Sequence, residues 1–220
     1  MTARRLVIAS RTAATALAGV LAFAGILPAS AQAPVEVKIA ISTINDPNHE
    51  YIKLLKAEID ARGGDKMVAR IFPAAQLGAD PRVLEGLQLG TVEILSTVPA
   101  FVANLNPSFQ VVDAPALFTD LKHAARALAQ KPFRDAYFKL AEDKGVAVMA
   151  IWPHSLTNYA SVTPIRRLDD FKGKKIRVLA TKTELALMAA YGATGTPIAF
   201  AEVLQALQQK TVDAVRSSLT

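Results

Sequence analysis

The chain has 220 residues, 51% of them hydrophobic, with no cysteine and with 25 basic against 19 acidic side chains, a formal net charge of +6. The lack of cysteine excludes a disulfide framework, a thiolate metal site and a cysteine nucleophile. The basic excess is mild and never gathers into a long run of like charge, which argues against a nucleic-acid partner.

The first 33 residues read "MTARRLVIASRTAATALAGVLAFAGILPASAQA". Arg4, Arg5 and Arg11 stand without an acid, a small apolar run follows from Ala13 to Leu27, and Ala29-Ser30-Ala31 makes a small-x-small site. This is the pattern of a secretory signal peptide over residues 1–31, cut after Ala31. The apolar run is shorter than the roughly 20 residues that a membrane span needs. Arg4-Arg5 leaves general and twin-arginine export both open. Loss of the signal takes the net charge from +6 to about +3. About 190 residues remain, enough for a sizeable core or two modest domains, and they read as a soluble, exported protein.

Strands and helices then alternate. "VEVKIAI" (Val35 to Ile41) reads as a strand, and Asp46-Pro47 opens a helix with Asp at the cap and Pro in the first turn. Tyr51, Leu54, Leu55 and Ile59 recur at helical spacing as its buried face, and Gly63-Gly64 ends it. "MVARIF" (Met67 to Phe72) is a second strand, Asp80-Pro81 begins the next helix, Gly90 ends it, and "TVEILST" is a third strand. Helices are expected at Leu121 to Gln130 and Phe133 to Asp143. "GVAVMAIW" (Gly145 to Trp152) reads as a fully apolar strand, and an irregular stretch leads to Lys172. The basic cluster "KGKKIR" reads as a solvated turn before the strand "KKIRVLA", which a helix from Thr183 to Tyr191 follows.

One sentence is written twice. "VLEGLQLGTVEIL" (Val83 to Leu95) returns as "VLQALQQKTVDAV" (Val203 to Val215), with Glu93 answered by Asp213. Leucines at 84 and 87, or 204 and 207, mark one helix face before a strand. A strand-helix-strand block used twice predicts a parallel sheet in each half. Two similar α/β lobes would leave a crevice of the kind that binds small ligands. Gly90 becomes Lys210 in the second copy, which costs on the order of 1 kcal/mol if that position needs a left-handed backbone.

The segments "FPAAQLGADPRVLEGLQLGTVEI", "PIRRLDDFKGKKIRV" and "YGATGTPIAFAEVLQALQQKTVDA" resemble the solute-binding proteins of tripartite ATP-independent periplasmic (TRAP) transporters, the DctP-type receptors. The resemblance runs through nearly the whole exported chain, in order. It implies an α/β, periplasmic binding protein type II-like clamshell of two lobes. That clamshell closes on a small organic acid and delivers it to the TRAP membrane permease subunits. It also implies a monomer without cofactor. Residues 32–152 would form the first lobe, 153–212 a partial second lobe, and 213–220 the start of a return crossing. Second lobe and hinge would both be incomplete, because family members continue well beyond the point reached at Thr220.

In the family the arginine of the "KIRV" strand binds the ligand carboxylate, and here it is Arg177. The chemistry suits the role, since guanidinium offers a planar, permanently charged fork to a carboxylate. The residues alone equally allow a surface arginine paired with Asp169 or Asp170. Asp80 is either a pocket-lining group or a helix cap, and Phe200 is either a pocket wall or core. Ser42 ends the first strand at an edge that faces the cleft in such folds. His154 and Asn158 fall where the chain crosses between lobes, His154 being either a ligand contact or a loop histidine. Family members have "VDGQENP" where this chain reads "VDAVRSS", so Ser217 stands in for the pocket amide.

Catalysis finds no support. The chain has no G-x-S-x-G elbow, no H-E-x-x-H and no phosphate loop. His49, His123 and His154 are far apart, without metal-ligand spacing. The function that the resemblance implies is capture of a carboxylate for transport. The alternatives are a ligand-sensing module for a membrane kinase, or a truncated copy without function.

Overall fold

A computed structural model describes residues 33–218, so the expected signal peptide lies outside the described residues. Five elements build a first, all-parallel sheet. They are β1 (Val35–Ile41), α1 (Pro47–Gly63), β2 (Met67–Phe72), α2 (Asp80–Gln88) and β3 (Ile94–Ser96). Strand order is β2-β1-β3, with Val35 opposite Met67 and Ile39 opposite Ile94. Alternation along β1 sends its residues to opposite faces. Val37, Ile39 and Ile41 pack with Ile52, Leu55 and Ile59 of α1. Ala40 faces the other way, toward Val83, Val92 and Leu95.

The start of α1 is as its sequence predicts: Asp46 caps it by accepting from the His49 amide at 2.8 Å. Leu55 and Ile59 pack inward as expected. Leu54 does not, being 69% exposed, and Tyr51 lies tilted against Trp152 with ring centroids 4.1 Å apart, while Ile52, 1% exposed, completes the buried face.

A connecting region follows, with α3 (Pro99–Val102), a 3-10 turn (Pro107–Asp113), α4 (Leu121–Leu128) and α5 (Lys131–Phe138). Phe109, Tyr137, Ala141 and Val146 form its core, and Leu87 of α2 joins them. The Tyr137 hydroxyl donates to the Phe109 carbonyl at 3.0 Å. Gly145 to Trp152, expected as a strand, forms none; Val146, Val148 and Ile151 pack on this cluster instead. A short apolar run looks the same whether it pairs in a sheet or lies against a helical layer.

The second sheet has β4 (Thr157–Ser161), β5 (Lys175–Val178), α6 (Lys182–Ala190), β6 (Thr194–Pro197), α7 (Val203–Gln208) and β7 (Ala214–Ser218). Strand order is β4-β7-β5-β6. β5 runs parallel to β6 and β7, and β4 antiparallel to β7. β4 falls in the stretch expected to be irregular. Its sequence "TNYAS" lacks a strong apolar alternation, and pairing with β7 supplies the order. β7 covers most of residues 213–220, expected to begin a return crossing, and lies between β4 and β5. Phe171, Ile176, Val178, Met188, Ala193 and Ala214 form the core of this sheet.

The repeated sentence folds the same way twice. α2 and α7 each close on a left-handed residue, Gly90 at φ 72° and Lys210 at φ 56°. The same bonds seal both turns, from Gly90 to Leu87 and Thr91 to Gly86, then from Lys210 to Leu207 and Thr211 to Ala206. Val92 and Val212 are then buried. The acids also match in role. Glu93 accepts the Lys38 amide of β1 at 2.7 Å, and Asp213 accepts the Lys175 amide of β5 at 2.8 Å. Each carboxylate pins the start of a parallel ladder.

Candidate functional site

Two polar groups sit at the carboxyl ends of the strands, where open α/β sheets bind ligands. In the first sheet Asp80 is 6% exposed. It does not cap α2, whose cap is Ala79. Its two carboxylate oxygens accept from the Ser42 hydroxyl at the end of β1 and from Thr97 Oγ1, 2.6 Å away, beyond the end of β3. Next to it Ser96 Oγ donates to Asn48 of α1 at 2.9 Å. Ser42 and Asp80 share a crevice with Ala75, Leu77 and Gly78 that is too tight to hold a water molecule. A roomier depression of about 450 Å³ opens beside Pro34, Asp60 and Met67, at the opposite end of the strands, and holds none of the candidate residues. The loop flanking the crevice is strained. Ala74 and Ala75 both adopt left-handed backbone, held by amide bonds to Thr43 and Ile41. Non-glycine residues in that region cost on the order of 1–3 kcal/mol each, and such strain concentrates at functional sites.

In the second sheet Arg177 is 2% exposed. Its Nε donates to the Ile198 carbonyl at 2.8 Å and its Nη1 to the Arg216 carbonyl at 3.2 Å, while Nη2 has no partner. The surface pairing with Asp169 or Asp170 is excluded: Asp169 pairs with Lys172 at 2.7 Å and Asp170 with Arg167 at 3.6 Å. Burial pulls the Arg177 guanidinium below its usual range; Glu184 opposes this and Arg216 adds to it.

Glu184 and Arg216 are functional candidates that sequence reasoning missed. Thr181 caps α6 by accepting the Glu184 amide at 3.1 Å. The Glu184 carboxylate, 3% exposed, accepts the Leu179 amide at 2.7 Å through Oε2 and pairs with Arg216 Nη1 through Oε1. Thr181-Lys-Thr-Glu184 is the spacing of a capping box, a legible signal for the helix start though not for the ion pair. Asp113, at the end of the 3-10 turn, lies close enough to feel both charges. Burial, then the Glu184 charge, raises its carboxyl to about 6, with Arg216 acting in the opposite sense. Among the described residues five buried side-chain polar atoms lack a partner, and Asp113 Oδ2, Arg177 Nη2 and Arg216 Nε are three of them.

The remaining expected residues are dispersed. Asn158 and Ser217 meet across the β4–β7 ladder. The Asn158 amide donates to Leu156 at 2.9 Å. Phe200, 43% exposed, is not core; it starts the turn before α7. His154 Nε2 lies 3.8 Å from the Asp46 carboxylate, so it braces the start of α1 in the manner of a loop histidine. Among the described residues no group of three His, Asp, Glu or Cys is placed to hold a metal ion.

Two α/β sheets with polar groups at their carboxyl ends make a fold of the kind that binds small ligands. The family model for bacterial extracellular solute-binding protein, family 7 (DctP) matches residues 40–220, and the chain belongs to that family. A solute-binding protein of Verminephrobacter eiseniae is 31% identical over 196 residues, covering 87% of this chain and 58% of the relative. The C4-dicarboxylate-binding periplasmic protein DctP of Rhodobacter capsulatus is 34% identical over 148 residues, covering 67% of this chain and 44% of the relative. The crystal structure of a TRAP periplasmic solute binding protein from Desulfovibrio salexigens with bound orotic acid is similar at a TM-score of 0.78 and 30% identity. It shares 83% of this chain and 59% of its own. The chain thus spans roughly half to three-fifths of the length of these relatives.

Proposed function

We propose that this chain captures a small organic acid in the periplasm for a TRAP-type secondary transporter, with Arg177 as the carboxylate contact. The observation that carries the reading is a guanidinium 2% exposed, near the carboxyl end of β5, with no carboxylate within ion-pair distance among the described residues and Nη2 unpartnered. A buried charge without a direct ion pair is costly, and a ligand carboxylate would supply both charge and hydrogen-bond acceptors. Residues 32–152 form the first lobe in this reading and 153–212 a partial second. Ser42 and Asp80 are the polar candidates of the first; Phe200, Asn158 and Arg177 belong to the second, and Ser217 lies on β7 opposite Asn158. The relatives named for C4-dicarboxylate and orotic acid support an acid as the solute.

Thermal unfolding against a panel of organic acids tests the reading. A ligand that binds only the folded state stabilises it by about 2.7 kcal/mol at a hundredfold excess over Kd. One acid should raise the midpoint, and Arg177→Met should weaken that acid roughly 100-fold. A cooperative melt that no acid moves, or an Arg177→Met variant that binds as the parent does, would refute the assignment.

A further inference from the structure

We infer that the amino end of the second sheet docks on an anionic lipid surface. Lysine and arginine side chains meet the headgroups there, and Val162 and Leu168 enter the apolar boundary beneath them. Arg177 lies toward the other end of the same strands, so this face does not depend on the capture of an acid.

Charge is unevenly shared along the chain. Residues 33–152 carry 13 basic and 14 acidic side chains, whereas residues 153–218 carry nine and five. Six of those nine gather at one end of the second sheet. β5, β6 and β7 are parallel and start together, and antiparallel β4 ends beside them. Asp213, just before β7, accepts the Lys175 amide at 2.8 Å, and its carbonyl accepts the Val162 amide, just after β4, at 3.0 Å. Lys174 Nζ donates to Thr163 Oγ1 at 2.6 Å, and the Lys174 carbonyl accepts the Thr194 amide at the start of β6. Lys210 holds the left-handed turn that leads into Asp213. Arg166, Arg167 and Lys172 flank the 3-10 turn (Leu168–Phe171) that leads into β5.

The acids at this end are already engaged. Asp169 pairs with Lys172 at 2.7 Å, and Asp170 accepts the Arg166 and Arg167 amides. Arg166, Lys175 and Lys210 are exposed and form no ion pair among the described residues. Two large apolar side chains stand among these cations, Val162 at 69% and Leu168 at 64% exposure. Cations alone would suit any polyanion. Cations around exposed apolar side chains suit the boundary of a bilayer, where electrostatic attraction and apolar burial add.

Vesicle flotation of residues 32–220, which hold the whole compact unit, tests this. Phosphatidylcholine vesicles with about 30% phosphatidylglycerol should bind the protein about 100-fold more tightly than phosphatidylcholine alone, and about 0.5 M salt should release it. An exposed cation near such a surface is worth about fivefold, so Arg166→Gln, Lys175→Gln and Lys210→Gly together should weaken binding about 100-fold. Lys210→Gly also suits the left-handed turn, which guards the fold of that variant. Val162→Ser with Leu168→Ser should weaken binding about 10-fold. Removing three exposed cations elsewhere, by Lys66→Gln, Lys122→Gln and Lys139→Gln, changes the net charge equally and should alter binding by less than about threefold. Binding without preference for the anionic vesicles, equal losses in the two cation triples, or an undiminished Val162→Ser and Leu168→Ser variant overturns the inference. Binding to soluble polyglutamate that the vesicles do not share also overturns it, and gives this face to an acidic protein instead.

Discussion

Asp113 shows how burial can make a single side chain costly to the fold. It sits alone in the apolar run "FQVVDAPALF", and its carboxyl is raised by burial and by Glu184, with Arg216 opposing and Tyr137 close enough to feel its charge. A carboxyl raised in the folded state binds protons more tightly there than in the unfolded chain. Its contribution is thus most favourable below the ordinary value near 3.8, is lost as pH climbs through about 6, and stays lost above. Asp113→Asn should therefore stabilise the protein by about 1–3 kcal/mol above pH 6.5 and by little at pH 4. Urea unfolding at both pH values measures this. A gain that is equal at the two would remove the buried charge as its cause. Nothing in the sequence marks Asp113 as special, because its neighbours come from elements far along the chain. Arg177 was legible from its motif, but its burial, and the preference of Asp169 and Asp170 for other cations, depend on packing that no local pattern encodes.

The two copies of the helix-strand sentence make a controlled comparison. Gly90 and Lys210 hold the same left-handed turn, sealed by the same pair of bonds. A lysine there bears a steric cost that a glycine does not. Lys210→Gly should raise stability by about 1 kcal/mol, read from the urea midpoint at unchanged slope, while Gly90→Lys should lower it by a similar amount. A Lys210→Gly variant that is neutral or worse would show the turn to be unstrained. These elements were readable because their signals are local: Asp-Pro at helix starts, glycine at ends, alternation along β1. The losses have physical causes as well. β4 owes its existence to an antiparallel partner more than fifty residues away. Gly145 to Trp152 is apolar enough for a strand, yet it packs on the Phe109 cluster without a ladder. Asp80 looks like a cap from sequence, yet the carboxylate turns to Ser42 and Thr97 because they stand within reach at the strand ends.

At the scale of the molecule, residues 33–218 form one compact unit. The chain leaving the first sheet lies against α1, with Trp152 on Tyr51 and His154 beside Asp46. Asp113, from the connecting region, lies close enough to Glu184 and Arg216 of the second sheet to feel their charges. Unfolding should accordingly be a single transition, coincident by far-ultraviolet circular dichroism and by fluorescence of the lone Trp152. Separate midpoints would mean that the two sheets fold independently. The carboxylate pins give that question a finer instrument. Glu93 and Asp213 each clasp one amide hydrogen, that of Lys38 and that of Lys175, at the same place in either sheet. These two hydrogens are matched clocks. If their exchange with deuterium slows and quickens in step as denaturant rises, the halves open together; if one runs ahead, it names the half that opens first.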